Sequence, residues 1–146
     1  MKLILFRDNL KNGLLAAERA VVDSSNLPIL KNVLVRTVGT KIQLTTTNLE
    51  LAITKLISGK ITEEGALSVP FATFYSIVNN TAHDRINLES EGSSFVVKTD
   101  NYEAKMQGAA AEDFPLIPRM ADGGAYMEID PVVFQDALQQ VISAAH

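Results

Sequence analysis

One pair of neighbours in the chain has the residue types for acid–base chemistry: His83 beside Asp84, in a stretch that reads as loop. An imidazole next to a carboxylate can pass a proton near neutral pH or begin a metal site, but either role needs another ligand or partner at a workable spacing. The sequence offers none, since the only other histidine, His146, is the last residue. Ser24 and Ser25 have no base to activate them, and Glu63 and Glu64 precede a turn glycine, where solvated charge is the ordinary state. Neither a nucleophile elbow nor a phosphate-cradling glycine loop occurs. The chain has no cysteine, which excludes disulfides, thiolate metal sites and a cysteine nucleophile. The expectation is a protein with no catalytic residues, metal or cofactor, whose function lies in shape and surface.

At 146 residues, with 47% hydrophobic and 21% charged, the chain can bury one good core. Its first apolar run, Leu3 to Phe6, meets Arg7 and Asp8 too soon for a signal segment or a membrane span. A cytoplasmic protein without a membrane partner is expected. The net charge is −4, and it is uneven: residues 1–124 hold all 13 Lys and Arg against 14 Asp and Glu, while Glu128, Asp130 and Asp136 stand alone in the last 22. Nucleic acid would therefore have to meet a local positive face, because overall charge supplies no attraction.

Residues 2–6 read as a strand, and Leu10, Leu14, Ala17 and Val21 follow at helical spacing. Three β-rich runs come next, at 33–38, 42–47 and 49–57, separated by a turn at Val38-Gly39-Thr40-Lys41 and a tighter break near Asn48. The run Leu67 to Val69 then leads through Pro70 into a second helix carrying Phe71, Phe74, Ile77 and Val78. Strands at 85–88, 95–99 and 102–107 follow, with Glu91-Gly92-Ser93 and Asp100-Asn101 as hairpin tips. Strand, helix and three strands are thus performed twice. Such halves can pack helix beside helix under antiparallel sheet, an α+β architecture. Leu27-Pro28-Ile29-Leu30 predicts a rigid extended entry to the first meander. Residues 109–124, with Asp113-Phe114-Pro115, Pro118 and Asp122-Gly123-Gly124, read as a linker closing a domain over 1–124.

A second opening follows that linker. Leu3, Leu5, Leu10, Leu14, Ala17 and Val21 are answered 124 positions later by Met127, Ile129, Phe134, Leu138, Val141 and Ala145. Asp130 can cap this later helix and Pro131 fits its first turn, but no Gly, Asn or Pro closes it before His146. Residues 125–146 are therefore expected to be the first strand and helix of another domain, in a piece of a longer protein.

Taken in order, Leu27-Pro28-Ile29-Leu30, Thr46-Thr47-Asn48-Leu49-Glu50, Val69-Pro70 with Phe74, and Asp113-Phe114-Pro115 make the chain resemble the bacterial sliding clamp, the β subunit of the replicative DNA polymerase. The resemblance implies a DNA-clamp fold of duplicated β-α-β-β-β halves, with domain 1 entire and the start of domain 2. It implies three such domains per chain, closing head to tail with a second subunit into a homodimeric ring around duplex DNA. The helices would line the hole and make sequence-independent contacts, and polymerase and clamp-loader subunits would bind through regions absent from these 146 residues.

Residue by residue, the resemblance implies DNA contact from Lys11 and Arg19 on the first helix and from the loop holding Ser24. It places a ring interface at Thr73 and Ile77 on the second helix and at Ala104 and Met106 on the last strand. The competing readings are ordinary solvated charge for Lys11 and Arg19, and core packing for Ile77 and Met106. The sequence departs from the pattern of the family it resembles in three respects: Asp23-Ser24-Ser25-Asn26 lacks the arginine usual in that loop, the start of the second helix, often basic, reads Phe71-Ala72-Thr73, and Ala104 stands where an aromatic is common. Weaker DNA contact and a looser seam are expected. A protein-interaction or assembly module of the same fold that does not bind DNA is the alternative. A small enzyme built on His83 and Asp84 is a third reading, and an unchanged activity profile after His83→Ala would dispose of it.

Overall fold

The computed structural model describes residues 1–22, 26–118 and 127–145. Alternation makes β1 (Lys2–Phe6) two-faced: Leu3 and Leu5 are buried, while Lys2, Ile4 and Phe6 turn outward. The chain passes directly into α1 (Arg7–Ala17), which buries Leu10, Gly13, Leu14 and Ala17 and tightens into a 3-10 turn over Glu18–Ala20. A meander follows, β2 (Asn32–Val38), β3 (Lys41–Thr47) and β4 (Ala52–Ile57), and then the short β5 (Lys60–Glu63). The second half runs β6 (Ala66–Pro70), α2 (Phe71–Asn80), β7 (Arg85–Glu91), β8 (Ser94–Lys98) and β9 (Glu103–Gln107). Gly39 and Gly92, at φ +55° and +56°, supply the left-handed backbone that the β2–β3 and β7–β8 turns require.

The halves do not fold separately. One sheet has the order β5-β1-β7-β8-β9 and the other β4-β3-β2-β6. Each opening strand has therefore left its own half and joined the meander of the other. The two exchanges are alike in register: Phe6, the last residue of β1, pairs with Arg85, the first of β7, and Pro70, the last of β6, pairs with Asn32, the first of β2. An internal repeat with approximate two-fold character results, with β4 and β9 as equivalent edge strands.

A single core joins both sheets to both helices. Leu3, Leu5, Ile86, Leu88, Phe95 and Val97 come from the larger sheet, Val33, Val35, Ile42, Leu44, Leu67 and Val69 from the smaller, and Leu10, Leu14, Phe74 and Val78 from the helices. Each such burial stabilises by about 1.5–3 kcal/mol before entropy is counted. Phe74 meets Phe95 edge to face, with ring centroids 5.2 Å apart. Gly13 lets α1 approach the smaller sheet, since a Cβ there would lie 2.8 Å from Ile57 and 2.9 Å from Leu44.

Several expectations need correction. β5 went unread because Lys60-Ile61-Thr62-Glu63 holds one apolar residue, the mark of a solvated edge strand. Pro28–Lys31 forms a 3-10 turn and not an extended entry; the fixed proline φ suits a helical start, and only Leu27 is extended, at φ −109°. The third strand begins at Ala52, because Asn48 Oδ1 accepts from the backbone N–H of Glu50 and Leu51 and turns the chain through Leu49, at φ +77°. Of the linker expected over 109–124, residues 109–114 and Ile117 pack in part against the domain, Leu116 is exposed, and 119–124 lie outside the described residues. Ser68 and Ala109 exchange backbone hydrogen bonds, and Phe114 is buried with Leu34 and Ala111 on the outer face of the smaller sheet. Asp130 caps α3 (Pro131–Val141) through the N–H of Val132 and Val133, and its carbonyl accepts from Phe134 at 3.0 Å; residues 127–130 are in no strand, and 125–126 of the expected second opening lie outside the described residues.

Gly108 stands where the chain leaves β9 for β6, and a Cβ there would sit 2.6 Å from the Ser68 carbonyl oxygen. Backbone cannot yield as a side chain does. Gly108→Ala is expected to cost roughly 1–3 kcal/mol in urea unfolding, and unchanged stability would refute this account of the junction.

Candidate nucleic-acid face and ring seam

α1 and α2 lie side by side, with the start of α1 at the end of α2. α2 ends without glycine and has no cation in its last turn, so its terminal carbonyls need partners from elsewhere. Arg7 provides them: its Nε donates to Val78 O at 3.2 Å and its Nη2 to Asn79 O at 2.9 Å. The Thr81 hydroxyl closes the same turn by donating to Ile77 O at 2.8 Å. At the matching end of α1, the Thr46 hydroxyl donates to the Ala17 carbonyl. Each helix is thus closed by a residue from outside itself.

This capping decides the electrostatics of the helical surface. α2 has no charged side chain, and Arg7, three-quarters buried, is committed to its C-terminal carbonyls. Lys11 and Arg19 remain, in the company of Asp8 and Glu18. Lys11 is half-buried on the flank of the apolar stripe, whereas Arg19 is exposed in the 3-10 turn. Asn9, Asn12, Ser76, Asn79 and Asn80 are exposed beside them. The surface is polar and close to neutral, able to hydrogen-bond a phosphate or its water but not to hold it by charge. Ser24 lies outside the described residues.

The expected seam residues fall on α2 and β9. Thr73 is exposed, Ile77 is half-buried against the core, and Ala104 is half-buried on the edge strand. Met106, 8% exposed, belongs to the core and offers a seam little surface. A pocket of about 370 Å³ opens beside Ile77, between the end of α2 and the β8–β9 turn at Thr99 and Tyr102. His83 lines it with Nδ1 4.0 Å from Asp100 Oδ2, beyond hydrogen-bonding distance. The expected partner Asp84 instead gives its backbone carbonyl to the Arg7 N–H, at 2.7 Å. No group of three or more His, Asp or Glu among the described residues could hold a metal ion, and no helix among them is long and apolar enough to cross a membrane.

Sequence reasoning passed over Arg7, reading it only as the end of an apolar run. The available signal was an α2 that stops with no closing residue of its own. On the outer face of the larger sheet, a hydrogen bond at 2.7 Å joins Lys2 to Glu63, raising the lysine pKa and lowering that of the carboxylate. Glu89 likewise raises the pKa of Lys98.

Duplicated β-α-β units with adjacent helices and two equivalent open edges define a domain of the DNA-clamp class. Residues 1–118 match the family described as DNA polymerase III beta subunit, N-terminal domain, and the chain belongs to that family. It is 29% identical over 121 residues to the beta sliding clamp of Synechococcus elongatus, covering 81% of this chain and 32% of that one. With the beta sliding clamp of Chlamydia muridarum the identity is 22% over 121 residues, covering 82% and 33%. The crystal structure of a sliding clamp (DNA polymerase III subunit beta) from Bartonella birtlesii bound to griselimycin is similar at a TM-score of 0.79 and 27% identity, covering 84% of this chain and 33% of that one. The chain spans about a third of the length of these relatives.

Removing the Arg7 side chain leaves two carbonyls and a helix end without their cation. Arg7→Ala is expected to lower stability by about 1–2 kcal/mol. Lys11→Ala and Arg19→Ala should stay within about 0.5 kcal/mol of the parent in the same urea titration. Equal effects from all three would remove the distinction between capping and surface cations.

Proposed function

We propose that this domain is one arc of a ring that encircles duplex DNA and keeps a replicative polymerase on its template. The observation that carries this reading is the strand exchange: it holds two helices side by side and leaves two equivalent sheet edges, β4 and β9, for neighbouring arcs. The role is topological and needs no catalytic residue. The protein acts in the cytoplasm, as part of a longer chain that closes head to tail with a second subunit, and polymerase and clamp loader dock on its other domains.

Duplex DNA passes the helical face, touching Lys11, Arg19 and the loop at Ser24. The near-neutral balance of that face supports contacts that are few, weak and blind to sequence. The same balance favours a second reading, an assembly module of this fold that does not bind DNA. The two part company on topology. The longer natural chain, loaded on nicked circular plasmid, should be retained through gel filtration at high salt and lost once the plasmid is cut. Equal loss from circular and linear DNA would leave the assembly module standing.

The seam forms from Thr73, Ile77 and Ala104, with Met106 supporting it from the core. A methyl group at Ala104 buries far less than an aromatic side chain would, and the seam is correspondingly loose. Ala104→Phe in the longer chain is therefore expected to lengthen the residence time of the ring on circular DNA about tenfold, a gain of about 1.4 kcal/mol. An unchanged or shorter lifetime would place the seam elsewhere.

A further inference from the structure

We propose that the groove where β1 meets β5, on the outer face of the larger sheet, is a docking site for an acidic and apolar segment of a partner protein. This goes beyond the ring and does not depend on it. The groove, of about 560 Å³, is bordered by Ile4, Phe6, Asn9, Lys60 and Arg85, with Gly59 at one side. Phe6 is 57% exposed and Ile4 37%, on a strand whose other face is fully committed to the core. Register sets a cation directly across from each: Ile4 pairs with Lys60 and Phe6 with Arg85, so each apolar group and its cation share one face.

Both cations are exposed, and among the described residues neither makes an ion pair. Elsewhere on the same face, Lys2 is paired with Glu63 at 2.7 Å and Lys98 with Glu89 at 2.8 Å. Charge complementarity therefore calls for carboxylates from the occupant, and the apolar pair calls for aliphatic or aromatic side chains between them. β5 is the edge of its sheet, so an extended segment can lie along it and send alternate side chains over the groove. Nucleic acid fits less well. Two cations do not make a row that tracks phosphates, and Phe6 is the single ring lining the groove, too few for successive bases to stack on.

The test uses the 146-residue chain and a short fluorescein-labelled peptide alternating glutamate with leucine and phenylalanine, read by fluorescence anisotropy. Saturable binding is expected, weakened about tenfold or more by the double substitution Lys60→Glu and Arg85→Glu and, separately, by Phe6→Ser. Circular dichroism should show both variants folded. A version of the peptide with lysine for glutamate should not bind. The proposal is overturned by equal affinity for the parent and the charge-reversed variant, by no saturable binding, or by preference for oligothymidylate over the acidic peptide. It is also overturned if Phe6→Ser changes the oligomeric state by sedimentation, since a second copy would then cover the groove.

Discussion

Everything in this domain depends on the exchange of opening strands between its halves. β1 and β6 are each too short to be stable alone, and each reaches a full ladder by crossing to the meander of the other half. Because α1 follows β1, and α2 follows β6, without a spacer residue, the ladders also fix where the helices start. The core can then be continuous: Val69 packs with the strands that preceded it, and Leu3 and Leu5 pack with strands that come some eighty residues later. Neither half has a complete core without the other.

The same constraint shapes the surface proposed for function. The start of α1 and the end of α2 carry opposite partial charge and attract, and Arg7 adds to this by reaching across to the last carbonyls of α2, which have no partner within their own helix. A cation at the helical face is thereby committed to closing α2. What is left exposed is largely amide and hydroxyl, with Lys11 and Arg19 set against Asp8 and Glu18. A ring tolerates such a face because its hold is topological, whereas a protein that relied on contact would need more positive charge there.

The parts of the candidate surfaces differed in how readable they were. Thr73 and Ile77 sit on an apolar helix whose period announces it, and the structure keeps them on α2 as expected. Met106 was ambiguous, because an apolar residue on a strand looks the same whether it fills a core or a seam; its burial assigns it to the core. His83 beside Asp84 suggested a pair by adjacency alone, yet adjacency does not fix side-chain direction, and the imidazole lies nearest Asp100, in the β8–β9 turn. Residues 109–124 looked like linker because they are small and rich in proline and glycine. Composition does not reveal that Phe114 has a pocket waiting on the far side of β2.

Local order was written plainly in the chain. Alternation at Leu3 and Leu5, the helical stripe of Leu10, Leu14 and Ala17, the glycines at 39 and 92 and the capping Asp130 act over a few residues, through sterics and short hydrogen bonds that sequence distance captures. Partnership was not. That β1 pairs with β7 and β6 with β2, that a polar tetrapeptide becomes β5, and that Arg7 closes a helix seventy residues away all depend on which surfaces meet once the core has closed. Short-range rules say what each segment can be; only packing selects its neighbour, because the free energy of a buried contact exists only when both sides have arrived.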